Sequence, residues 1–127
     1  MKLLKVSFSV AVFVACLSIL GVVIADDDGE STPKYTIKEV MKIAHKDGLL
    51  KKVIAGDASQ EEKLSLLDYY ISLVENEPPK GDMESWHNLA GKAALAAAKV
   101  AVGRDDATAE LKTAANCGKC HKAHKGK

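Results

Sequence analysis

Aromatic residues are scarce in this chain. Phenylalanine, tyrosine and tryptophan make up 5% of it, and both phenylalanines, Phe8 and Phe13, lie near the start. A core formed by the rest of the chain must therefore be aliphatic and alanine-rich. Excess charge of either sign is also missing, with 18 basic residues against 17 acidic, or 16 against 17 once Lys2 and Lys5 are set aside. Without a basic face to replace counterions, there is no electrostatic case for binding nucleic acid. No segment alternates apolar and polar residues with period two, so no strand is expected. Only three cysteines occur. Cys16 lies in the first apolar run, which leaves Cys117 and Cys120 close to the C-terminus, and any chemistry must be concentrated there.

Lys2 and Lys5 precede an apolar run from Val6 to Ala25, which three aspartates, Asp26 to Asp28, follow at once. A basic start, an apolar stretch and a small residue before the polar boundary predict a bacterial-type secretory signal cleaved after Ala25. The alternative is an uncleaved anchor, because the run is close to bilayer-spanning length, and only then would the protein meet a membrane. Lipidation at Cys16 does not fit, since nine more residues of the apolar run follow it. Removal of residues 1–25 from the 127 leaves 102 residues, one small domain. Export predicts a periplasmic, oxidising setting in which two cysteines form a disulfide or carry a cofactor.

Residues 26–34 are polar and read as a flexible entry segment, with a helical domain over 35–127. Thr36 to Glu39 and Ser59 to Glu62 each have the form of a capping box, in which a hydroxyl and a carboxylate satisfy free amides at a helix start. Ile37, Val40, Met41 and Ala44 follow the first at the spacing of one buried helical face. Gly48 should interrupt that helix. Leu64, Leu67, Ile71 and Val74 mark a second, stopped by Pro78 and Pro79. Asp82 can cap a third, with Trp86, Leu89, Ala90, Ala93, Ala97 and Val100 inward, and Asp105 or Asp106 can cap a fourth that runs on into Cys117. The expected fold is all-α, an antiparallel four-helix bundle.

Cys117-Gly118-Lys119-Cys120-His121 is C-x-x-C-H, the attachment signature of c-type haem. Two thiols three residues apart on a helical turn can form thioethers with the two vinyl groups of one haem, and His121 is then within reach of the iron as proximal ligand. Three alternatives stand beside it. A redox dithiol normally opens a helix in a βαβ setting, whereas here the motif is expected to close the last helix. A zinc site could recruit His124, although its ligands would crowd one segment. A Cys117–Cys120 disulfide would close a very small loop and contribute little.

An exported, all-helical chain of about a hundred residues with C-x-x-C-H near its C-terminus resembles the class II c-type cytochromes, the cytochrome c-prime and cytochrome c-556 group. The resemblance implies a four-helix bundle with one covalent haem c on the last helix, held by Cys117, Cys120 and His121. Val40-Met41-Lys42 resembles the family's first-helix stretch on the distal side of the haem, which implies Met41 as the sixth ligand. The chain departs from the family at His124 and Lys125, where an aromatic residue and an arginine often stand.

In an up-down-up-down bundle the end of helix four lies level with the starts of helices one and three. Met41 and His45 are thereby brought near the haem, each four residues from the other and on one face. His45 is the alternative sixth ligand, and a gap-filling core methionine is the plain role of Met41. Met83, His87 and His124 are expected in solvent, as are Lys119, Lys122, Lys125 and Lys127, a cluster that could also steer an acidic redox partner. The function expected is therefore electron transfer by a monohaem cytochrome, not an enzyme. Its partner would be a redox protein, and a homodimer is the alternative to a monomer. A five-coordinate haem protein binding NO or CO is the second expectation, and a zinc-binding or disulfide-stabilised helical protein the third.

Overall fold

Thr36 opens the first helix as its sequence requires. Its hydroxyl accepts from the Glu39 amide at 3.3 Å and the Glu39 carboxylate accepts from the Thr36 amide at 2.8 Å. The computed structural model describes residues 32–127, so the leader assigned to 1–25, with Cys16, and most of the entry segment 26–34 lie outside the described residues. Residues Ser31–Lys127 form one compact unit. Lys34, at the end of the entry segment, pairs with Asp68 and covers the Tyr35 ring.

The chain is all-helical, with no strand among the described residues. Helix α1, Ile37–Val40, passes directly into a π-helical stretch, Met41–Lys46, where the Asp47 amide reaches back five residues to the Lys42 carbonyl at 2.8 Å. Gly48, at φ 89°, ends the run as expected. Helix α2 is Leu49–Ala55, and α3 is Gln60–Glu75, opened by the second capping box through Ser59 and Glu62. Helix α4 is Met83–Ala101, capped by Asp82, whose carboxylate accepts from the Ser85 amide at 2.8 Å. Helices α5, Ala107–Ala114, and α6, Cys117–His124, complete the chain. No described helix is long and apolar enough to cross a membrane.

Helix α4 is the centre of the packing, against α3 on one side and α5 on the other. Its inner face is alanine, with Ala90, Ala93, Ala96 and Ala97 buried beside Trp86 and Val100, so neighbouring helices meet it over small side chains. Val40, Ala44, Val53, Leu66, Tyr70 and Leu111 fill the rest of the core.

Three expectations are corrected. Of the residues that mark α3, Leu67 and Val74 pack against the core, but Leu64 and Ile71 are 51% and 42% exposed, and the fully buried stripe is Leu66, Tyr70 and Leu73. Two apolar stripes run along this helix, and the one that carries Tyr70 faces α4, where the Trp86 indole donates to the Leu73 carbonyl at 2.8 Å. Asp106 precedes α5 but makes no side-chain cap. It sits in a left-handed turn at φ 57°, and its backbone carbonyl takes the Ala109 and Glu110 amides. The fourth helix does not run unbroken into Cys117. Ala115 leaves helical geometry and Asn116 starts a new helix.

Candidate functional site

The motif opens α6 instead of closing the helix before it. Asn116 is extended at φ −67°, ψ 111°, and its side-chain oxygen accepts from the Lys119 amide at 3.1 Å, a side-chain cap that replaces one missing intrahelical bond. Cys117 therefore occupies the first helical position and Cys120 the fourth, on one face of a single turn. Cys117 is exposed, while Cys120 is half-buried and packs against the core. Burial first, and then the charge of Cys117, push the Cys120 thiol above its ordinary value.

Beside this turn lies a cavity of about 550 Å³, within the roughly 300–1,000 Å³ typical of cofactor sites. Met41 and His45 border it from the π-helical stretch, Tyr70 and Leu73 from α3, Trp86 and Ala90 from α4, and Cys117, Cys120 and His121 from α6. All five residues singled out from the sequence thus reach one cavity. Its lining is largely apolar. The charged or titratable groups on it are basic, apart from the thiols and Tyr70, and no carboxylate borders it among the described residues.

His45 is half-buried with its ring 5.9 Å from that of Tyr70 and nearly parallel to it. Burial lowers its pKa from the ordinary 6.5, and the charge of His121 lowers it further, which favours a neutral imidazole with a free lone pair. Met41 is half-buried against the core. The Tyr70 hydroxyl is the buried side-chain polar atom without a partner among the described residues; desolvation first, and then the charge of Cys117, raise its pKa. Met83 and His87 are exposed, as expected, and stand apart from this cavity. The four C-terminal lysines are exposed as well.

His124 is the exception. Expected in solvent, it is 2% exposed. One ring nitrogen, Nδ1, lies 2.9 Å from the Lys80 carbonyl, and Nε2 lies 3.0 Å from the Ser85 hydroxyl. The ring meets Trp86 edge-on, with centroids 5.4 Å apart. With both nitrogens engaged, His124 has no lone pair to spare for zinc, and no group of three or more metal-ligating side chains gathers among the described residues. The sequence did signal the break before the motif, because asparagine is a preferred cap. It held no local signal for His124, whose partners are about forty residues away. Comparison with family models, curated proteins and solved structures finds no match for this chain.

Proposed function

We propose that this protein is an exported, periplasmic monohaem c-type cytochrome that carries electrons to or from a redox protein. The observation that carries the reading is the convergence of Cys117, Cys120 and His121 from α6 with Met41 and His45 from the first helical run on one apolar, carboxylate-free cavity. The donor set fits the group. Cys117 and Cys120, on one turn, could each hold a vinyl carbon, and the adjacent His121 imidazole would hold the iron. Haem, when bound, supplies the one-electron couple of its iron. Met41 would be the second side chain to hold the iron, with His45 the alternative. A methionine opposite a histidine raises the potential. The lining is largely apolar, and Lys46 and Lys125 on it suit an occupant with anionic groups. The same reading takes the helices as an antiparallel four-helix bundle, with α1 to α2 as the first member and α5 with α6 as the last; short connections at 76–82 and 102–106 support it.

Production of the full chain alongside a cytochrome c maturation system tests the reading. The expected product carries a covalent haem mass and a low-spin Soret spectrum, and the mass disappears in the double variant Cys117→Ala, Cys120→Ala. A wild-type product with no haem mass and no Soret band would overturn it. A high-spin reduced form that binds carbon monoxide readily would transfer the protein to the gas-binding class.

A further inference from the structure

We propose that His124 is a positioning residue, a latch that holds α6 so that His121 stands at the cavity. The proposal rests on the haem reading above. Helix α6 has eight residues, too short to be stable alone, and His124 is its one buried residue. Cys120 rests on the core one turn earlier. These two contacts fix the rotation of the helix about its axis, and His121 lies between them in sequence.

The polar partners assign the ring's state. A carbonyl oxygen only accepts, so Nδ1 carries the proton and donates it to Lys80. In the neutral ring Nε2 is then left to accept from the Ser85 hydroxyl. The receptor is itself pinned. Trp86, against which the ring packs, donates to the Leu73 carbonyl of α3, and Ser85 lies in the first turn of α4 behind the Asp82 cap. Gly81 completes it. A Cβ there would lie 2.6 Å from His124 Nδ1 and 2.9 Å from the Ala123 carbonyl oxygen. The latch thus joins α3, α4 and α6 at one point, and the sequence Pro78-Pro79-Lys80-Gly81 serves as its seat.

The test uses the haem-loaded full chain, with covalent haem mass measured first in the wild type. His124→Phe keeps an aromatic ring and loses both hydrogen bonds. His124→Asn puts an amide nitrogen near the place of Nδ1 and keeps the bond to Lys80. Ser85→Ala is the mild variant in case His124→Phe does not fold. The expected result for His124→Phe is a shifted reduction potential and a proximal-histidine resonance Raman band that splits or broadens. His124→Asn should restore most of both, and Ser85→Ala should show a smaller shift in the same direction. Long-range ¹H–¹⁵N imidazole spectra should show the Nδ1–H tautomer of His124 whether or not haem is present. Unchanged potential and Raman band in His124→Phe, or in Ser85→Ala if only that variant folds, would overturn the latch even if the melting temperature fell. An Nε2–H tautomer would overturn it too. A wild type without covalent haem would remove the haem reading and this proposal together, whereas a loaded wild type with indifferent variants removes the latch alone.

Discussion

Gly81→Ala isolates the contact at the end of α6 from ordinary turn strain, because a second glycine supplies the control. Gly81 has φ 85° and Gly103 φ 72°. Alanine at either position incurs the left-handed penalty, about 1–2 kcal/mol. At Gly103 a Cβ would meet nothing within 4 Å, while at Gly81 it would meet His124 Nδ1 at 2.6 Å and the Ala123 carbonyl at 2.9 Å. The second of these is backbone, so the helix end itself must move. Loss of both His124 hydrogen bonds adds roughly 1 kcal/mol each, which puts Gly81→Ala at about 3–4 kcal/mol. A gap of about 2 kcal/mol corresponds to roughly 8–16 °C in melting temperature for a domain of this size. Thermal and urea unfolding followed by circular dichroism, on proteins in the same loading state, measures it. Equal losses at the two glycines would refute the reasoning.

Met41→Ala should turn a low-spin spectrum high-spin while His45→Ala leaves it low-spin; the reverse would transfer the distal assignment to His45. Leu111, fully buried, should cost about 2–5 kcal/mol on truncation to alanine, read from chemical unfolding of the loaded protein. The cap carboxylates give a pH dependence. Glu39 and Asp82 are held below their ordinary values chiefly by backbone amides, and Glu62 chiefly by Lys52 and then by the Ser59 amide. Each binds its proton more weakly folded than unfolded, so its contribution is present above the unfolded value and is lost as pH falls below about 4.5 for the glutamates and 3.8 for Asp82. Melting temperature measured across that range should therefore fall on acidification, and less steeply in Glu62→Gln.

Features whose chemistry is local were legible in the sequence. Both capping boxes, the Gly48 break, the Asp82 cap and the alanine face of α4 stand where the residues put them, since each depends on partners within one turn. The stripe of α3 was not legible, because two apolar stripes compete and tertiary packing, not the local pattern, buries Leu66, Tyr70 and Leu73. The π-helical stretch also escaped. Met41–Lys46 has an ordinary helical pattern, and only packing decides whether a turn closes at four residues or five. That Met41, His45, Cys117, Cys120 and His121 border one cavity followed from the motif and the helix order, but the burial of His124 depends on Lys80 and Ser85, about forty residues away in sequence.

The two walls of the cavity share one support. Met41 and His45 sit just after the start of the described chain and Cys117 to His121 near its end, and each stretch is fastened to the connection between α3 and α4. On the first side the Asn76 side-chain amide donates to the Tyr35 carbonyl at 2.7 Å and to the Ser72 carbonyl at 2.6 Å; on the other, His124 donates to Lys80 at 2.9 Å. These hooks hold the residue just before the first helical run and the last residue of α6, neither of them within 41–45 or 117–121. Residues 76–82 thus take one tie from each end of the described residues. Asn76→Ala should cost about 1–2 kcal/mol from its two lost bonds and disturb the distal spectroscopic signature while sparing the proximal histidine band. Ser85→Ala should do the converse. If both variants produced the same spectral change, or neither moved either signature, the two walls would have to be held by the core instead.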